Sequence, residues 1–267
     1  MIQPGSQPMT LDANGDQSVD LLYELAGNGG IKVSLGSRAD PTKWEQQDFF
    51  STYVLSSSEA ESCKNPNTKD SISLPDSNAF LDLNGDCIPD IVLTRQKSTG
   101  ETYYEIYSQV FRNGQSKYCL AAQDGQLVDK NDVRAGETGT AKMPIMEFAD
   151  FNRDGMMDIA FASETGVLSI LYNQFSAPGP KSTNLCSDVN NIKSLAERKI
   201  FPTYPFNAGD NGVTQVKLSD SSNHDVTFKG LADSMPSGSN EPAVPGRLRI
   251  NDLDMDGFPD LAMTLAF

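Results

Sequence analysis

A nine-residue acidic pattern, D-x-[DN]-x-D-x-x-x-D, occurs four times in this chain, and nothing else in the sequence constrains the fold as tightly. The copies are 12–20 in "LDANGDQSVDLLYEL", 82–90 in "LDLNGDCIPDIVL", 150–158 in "FADFNRDGMMDIAFAS" and 252–260 in "NDLDMDGFPDLAMTL". Their starts lie 70, 68 and 102 residues apart. Short segments such as "NAFL", "IMEFA" and "GRLRI" precede the pattern, and apolar, strand-forming runs ("LLYEL", "IVLT", "IAFA", "LAMTL") follow it. Each acidic turn therefore joins two strands.

Further strand patterns complete each unit: "GIKVSLGS", "TYYEIYSQVF" and "GVLSILYNQF", separated by turns rich in Gly, Asn and Ser. Repeats of about 60–70 residues with about four strands each predict an all-β chain built as β-propeller blades of antiparallel strands, in a partial or incomplete ring. A single propeller region spans 1–267, with blade-like units near 1–62, 70–130, 140–215 and 216–267. The interval between Asp158 and Asp252 is too long for one unit and holds an insertion or a degenerate blade. Within it "AGDNGVTQVKLSD" reads as a strand after a turn and "SMPSGSNEPAVPG" as an exposed loop. No long amphipathic helix is visible, and "NNIKSLAERK" (190–199) is the best helical candidate.

The spacing carries chemistry. Oxygen donors at positions 1, 3 and 5 of a tight turn face one point, a main-chain carbonyl at position 7 joins them, and a carboxylate at position 9 closes the shell. The donors are Asp12, Asn14, Asp16, Ser18 and Asp20; Asp82, Asn84, Asp86, Ile88 and Asp90; Asp150, Asn152, Asp154, Met156 and Asp158; and Asp252, Asp254, Asp256, Phe258 and Asp260. Ser18, Ile88, Met156 and Phe258 take part through their carbonyls. Hard oxygen ligands without His or Cys select Ca²⁺, up to four ions, over zinc or copper. A glycine at position 4 (Gly15, Gly85) or position 6 (Gly155, Gly257) lets the backbone turn with positive φ. An EF-hand would need a glutamate at position 12 and flanking helices; position 12 is Tyr23, Leu93, Phe161 and Met263, all on strand patterns. Metal-free Asx turns are the plain alternative, but turn propensity alone does not repeat acids at positions 1, 5 and 9 four times.

A formal net charge of −15 lacks the basic face of a nucleic-acid binder; four divalent ions would offset about half of it. Mean hydropathy of −0.40 suits a soluble globular chain, and no apolar stretch reaches the ~20 residues that span a bilayer. "MIQPGSQPMT" shows no signal peptide, and the ending "LAMTLAF" reads as mid-strand, so the chain reads as a cut-out of something longer. Cys63, Cys87, Cys119 and Cys186 show no CxxC pairing, which argues against zinc. Their even number suits two disulfides in an oxidising compartment, with three connectivities open and buried free thiols as the alternative. No N-x-S/T sequon occurs.

Catalysis finds little support. His224 is the single histidine and reads as a solvated loop residue, G-x-S-x-G is absent, and "GNGGIKVSLGS" reads as a hairpin rather than a nucleotide loop. Trp44 and "QQDFFSTY" read as core aromatics, with a ligand-facing patch as the alternative.

The acidic loops resemble the FG-GAP repeats of integrin α-subunit propellers. The wider context goes further: "FLDLNGDCIPDIVLT" with "YYEIY" after it, then "FADFNRDGMMDIAF", then "RLRINDLDMDGFPDLAMTL" is similar to the T-cell immunomodulatory protein family. Order and rough spacing match over most of the chain, with 164–245 matching poorly. The resemblance implies a type I membrane protein with an extracellular or luminal propeller and a C-terminal transmembrane helix, missing here, so that this chain is an ectodomain fragment. It implies a protein partner at the cell surface, in adhesion and immune modulation. FG-GAP propellers usually have seven blades and this chain has material for about four, so it is part of a ring or its ring closes differently. A partial ring exposes sheet edges, which leaves the oligomeric state open. The leading function is a calcium-stabilised interaction or adhesion scaffold of a cell-surface receptor-like protein. The alternative is a non-catalytic accessory propeller of a secreted carbohydrate-active or phospholipase-type enzyme; fold alone does not choose between them.

Overall fold

The structure, a computed structural model, describes residues 1–125 apart from 5, 28–29, 61–62, 74–77, 100–101 and 113, together with 146–162, 167–173, 213–217 and 248–263. It is an all-β architecture of antiparallel sheets. The first sheet runs in the order β1 (Met9–Leu11), β2 (Asp20–Glu24), β3 (Ile31–Gly36), β4 (Trp44–Asp48). A one-turn helix, α1 (Phe49–Tyr53), follows, with Asp48 as its N-cap accepting from the Ser51 N–H. The second sheet has β7 (Asp90–Gln96), β8 (Thr102–Arg112) and β9 (Gln115–Gly125), with β5 (Ser71–Ile72) and β6 (Ala79–Leu81) sharing the outer side of β7. The third is β10 (Met146–Ala149), β11 (Asp158–Ala162), β12 (Val167–Leu171) and β13 (Val213–Lys217). In the fourth, β14 (Leu248–Asn251) pairs with β15 (Asp260–Met263).

The strands expected on either side of each acidic turn are the pairs β1–β2, β6–β7, β10–β11 and β14–β15, all antiparallel. Position 12 falls on a strand in every copy, as β-sheet rather than EF-hand requires. His224, the helical candidate 190–199 and "SMPSGSNEPAVPG" lie outside the described residues.

Successive sheets stack face to face. The period of two along β7 sends Ile91 and Leu93 to one side, where they pack with Leu22, Val33, Phe49 and Tyr118 between the first and second sheets. Val92 points the other way, to Ile106, Met146, Ile159 and Leu171 between the second and third. Ala160 and Ile170 of the third sheet pack with Ile250 of the fourth. A strand buried on both faces has no polar alternation, and Asp90–Arg95 are all buried. Each such aliphatic side chain contributes about 1.5–3 kcal/mol by leaving water. Among the described residues no sheet closes on itself, and the four sheets pack each against the next, in keeping with blades of a partial propeller.

Polar groups also cross the first interface. Buried Glu24 accepts the Ile72 N–H at 2.7 Å. Arg95 and Glu105, fully buried, pair at 3.0 Å; Arg95 lies over the Phe50 ring and Tyr107 donates to Glu105 at 2.6 Å. Burial pushes the Glu105 carboxyl up, while Arg95 beside it acts in the opposite sense.

The free edge of β9 is covered. Leu55 and Lys64 donate their N–H groups to the Tyr118 and Leu120 carbonyls, and the Cys63–Cys119 disulfide fastens this segment to the strand. Closing a loop across 56 residues is worth about 4 kcal/mol by chain-entropy reasoning. Cys87 is disulfide-bonded as well, so disulfides replace free thiols at three of the four cysteines, and Cys186 lies outside the described residues. The aromatics divide: Phe49, Phe50 and Tyr53 are core, but Trp44 is 49% exposed, a correction to its core reading. It sits at the start of edge strand β4, with its ring over Gly36, and among the described residues no strand pairs beyond β4 to cover it.

Candidate metal centres: the four acidic loops

All four loops fold by the same local bonds. The position-1 carboxylate caps the main-chain N–H groups that turn back over it. Asp12 accepts from Gly15, Asp16 and Gln17; Asp82 from Gly85 and Cys87; Asp150 from Asp154 and Gly155; Asp252 from Asp256 and Gly257. The position-3 side chain (Asn14, Asn84, Asn152, Asp254) accepts the position-5 N–H, and the position-5 carboxylate (Asp16, Asp86, Asp154, Asp256) accepts the position-7 N–H. These nested Asx turns explain why acids and amides recur at odd positions.

One backbone feature escaped the sequence reading. Both position 4 and position 6 take positive φ in every loop, and glycine supplies only one of them. The other is Gln17, Cys87, Arg153 or Met255, at φ between 59° and 65°. A non-glycine residue there costs about 1–2 kcal/mol, so the loop bonds must outweigh strain at each of these four positions.

Position 9 has a second role. Asp20, Asp90, Asp158 and Asp260 each accept the position-2 N–H (Ala13, Leu83, Phe151, Leu253) at 2.8–3.1 Å, which closes the loop. In the first three loops the other oxygen accepts a main-chain N–H from the next hairpin: Gly36 at 2.9 Å, Gln109 at 3.3 Å and Asn173 at 2.7 Å. These aspartates are straps between loop and sheet. Gly36 is required by this closeness, because a Cβ there would lie 2.4 Å from the Val19 carbonyl oxygen.

Burial sets the electrostatics. In the second loop Asn84 and Asp90 are each 1% exposed. Burial, then the charges of Asp86 and Asp82, push the Asp90 carboxyl well up. Burial, with Asp82 adding, raises Asp86 to about 6. Asp20 and Asp158 are also raised, first by burial and then by the acids of their own loops. Asp16 moves down, because hydrogen bonds from Ser18 and Asn14 outweigh its slight burial.

The donor set fits a hard divalent cation. The loops offer carboxylate, amide and carbonyl oxygens with no nitrogen or sulfur ligand. In the fourth loop, carboxylate oxygens of Asp252, Asp254 and Asp260 lie within 4.8 Å of one another, and Asp256 turns to the Phe258 N–H. In the second, the buried Asn84 amide nitrogen has no hydrogen-bond partner, while its oxygen shares the loop with three acids. A groove of about 570 Å³ runs past Phe50, Val54, Pro66 and Thr68. Its Asp48 and Asn65 side chains are occupied by Lys32, Ser51 and Ser57, so the loops remain the stronger candidate.

Comparison with known proteins agrees with this geometry. Residues 82–161 match the FG-GAP-like repeat family, spanning the second loop, its blade and the third loop. The chain is 26% identical over 297 aligned residues to a T-cell immunomodulatory protein homolog of Plasmodium yoelii yoelii. It is 28% identical over 271 to a T-cell immunomodulatory protein homolog of Plasmodium falciparum (isolate 3D7). Each alignment covers 97% of this chain but 34% and 33% of the relative, so the chain spans about a third of their length. No solved structure matches. No helix among the described residues is long and apolar enough to cross a membrane. The FG-GAP-like repeat and similarity along nearly the whole chain bear out the resemblance to the T-cell immunomodulatory protein family.

Proposed function

We propose that this chain is a calcium-stabilised propeller region, extracellular or in the secretory lumen, that serves as a protein-interaction or adhesion scaffold of a cell-surface protein. One observation carries the reading: four loops share one pattern of bonds that gathers oxygen donors, closed in each by position 9, which in the first three also holds the next hairpin. Bound Ca²⁺ would supply the positive charge that the clustered carboxylates need. The ligands are the acids and amides at positions 1, 3, 5 and 9, from Asp12 to Asp20, Asp82 to Asp90, Asp150 to Asp158 and Asp252 to Asp260, with the carbonyls of Ser18, Ile88, Met156 and Phe258. The role is structural: position 9 is both ligand and strap, so holding the ion holds the blade. The disulfides support an oxidising compartment. The FG-GAP-like repeat, shared with integrin-type scaffolds, and similarity to the immunomodulatory protein homologs support a non-enzymatic role. In the full-length protein a C-terminal membrane helix would hold this region outside the cell.

Thermal melting tests the metal. Calcium that binds the folded state alone adds about 2.7 kcal/mol at a hundred times Kd, so metal-stripped protein should melt lower in chelator than in calcium. Identical melting overturns the calcium reading. Antibody against this region should stain unpermeabilised cells expressing the full-length protein, and the coated chain should retain cells in calcium but not in chelator. Staining only after permeabilisation overturns the surface assignment.

A further inference from the structure

Asn173 follows β12 and is buried. Its main-chain N–H donates to Asp158 Oδ1 at 2.7 Å, the strap of the third loop. Its side-chain amide crosses to the neighbouring blade and donates to the Leu83 carbonyl at 2.8 Å, and it also lies 3.2 Å from the Met157 carbonyl. Leu83 is position 2 of the second loop, and its own N–H is held by Asp90. Met157 is position 8 of the third loop, beside Asp158. One buried residue thus grips both loops. They also touch directly: a Cβ on Gly85 would lie 3.2 Å from Met156 Sδ.

The other blade boundaries differ. At the matching place in the second blade, Gln109 donates its N–H to Asp90, but its side chain turns to Ser116 Oγ within the same blade. In the first blade the place is Gly36, which has no side chain. The third and fourth loops meet through the Arg153 guanidinium over the Phe258 ring, at 4.5 Å. Only between the second and third loops, among the described residues, does a side-chain amide bond from one strap partner directly to the preceding loop.

We infer that Asn173 is a positioning residue that couples the second and third calcium sites, so that an ion in one tightens the other. The inference rests on the calcium reading above. An ion in the third loop fixes Asp158, and Asp158 fixes Asn173. The buried amide then holds Leu83 and with it the entry of the second loop, so the second ion finds its donors already ordered. The coupling is reciprocal: each ion strengthens the other by the same factor. A coupling at the lower end of the usual range is about five-fold.

The test is hydrogen exchange of 82–90, 150–158 and 252–260, followed by mass spectrometry across a calcium titration. The wild type and Asp86→Ala, which disables the second loop, are each measured with Asn173 intact and with Asn173→Ala. With Asn173 intact, Asp86→Ala should raise the calcium midpoint for protection of 150–158 about five-fold or more and leave that of 252–260 unchanged. With Asn173→Ala the shift in 150–158 should fall below about two-fold. Asn173→Ser, which keeps the main-chain bond to Asp158, repeats the measurement should the alanine variant fail to melt cooperatively. A midpoint for 150–158 indifferent to Asp86→Ala overturns the coupling, and a shift that persists in both Asn173 variants overturns the role of Asn173. Absence of calcium protection in both loops of the wild type overturns the calcium reading itself.

Discussion

The second and fourth loops share one spacing and most of their local main-chain bonds, yet they sit in opposite surroundings. Residues 82–90 lie between two blades: Leu83 and Asn84 are buried, Gly85 faces Met156, and Cys87 is held by a disulfide. Residues 252–260 lie at the last described sheet, with Leu253, Met255 and Phe258 exposed and Arg153 against one side. The local fold of such a loop is therefore written in nine residues, whereas its energetics are written by the neighbouring blades. Carboxylates that water screens in the fourth loop are desolvated in the second, where a cation has most to offset.

That contrast can be broken first at position 9. Asp90→Ala should destabilise the calcium-loaded protein by about 3 kcal/mol or more, because it leaves the Leu83 and Gln109 N–H groups unpaired in the interior. Asp260→Ala frees N–H groups that water reaches and should cost under about 1 kcal/mol. Denaturant midpoints measured in calcium compare them; equal losses would mean that burial does not separate the loops.

A smaller contrast lies at glycine. Gly85→Ala meets both the left-handed backbone and Met156 Sδ at 3.2 Å, and should cost about 1–2 kcal/mol. Gly257→Ala meets the same backbone demand but only the Arg153 Nη2 atom at 3.8 Å, and should cost about 1 kcal/mol. The same denaturation curves rank the two, and a larger loss for Gly257→Ala would contradict the packing argument.

Proton linkage gives the subtlest difference. Asp86 is raised from 3.8 to about 6 in the folded chain. Below pH 3.8 both states hold the proton. As pH rises towards 6 the unfolded chain ionises first, so this group lowers the stability of metal-stripped protein through that window. Asp86→Asn carries no such charge, and without metal it should gain on the wild type between pH 4 and pH 6. Calcium reverses the order at pH 7, because the wild-type carboxylate has then found its cation. A pH-independent difference in metal-stripped protein would show that Asp86 is not desolvated as described.

Much of this architecture was legible in the sequence because its determinants are local. The acids at odd positions, the strands on both sides and the apolar runs along β2, β7 and β11 lie within a few residues of one another. The missing parts depend on distant residues. The Arg95–Glu105 pair, the cover of β9 by Val54, Leu55 and Lys64, the Cys63–Cys119 pairing and the half-exposed Trp44 are set by which sheet edge faces what. Glycine marked one positive-φ position per loop, but the second, at Gln17, Cys87, Arg153 and Met255, left no residue-type signal. Position 9 read as a ligand that ties its loop to the following strand, but its partners in that tie, the N–H groups of Gly36, Gln109 and Asn173, lie 15 to 19 residues downstream and carried no sequence signal.

Native mass spectrometry of the metal-stripped chain, titrated with calcium, tests the central claim most directly. The account predicts up to four calcium adducts that fill before nonspecific adducts appear on a reference acidic protein, and one fewer in Asp86→Ala. A wild-type chain that takes up no more calcium than the reference protein would contradict it.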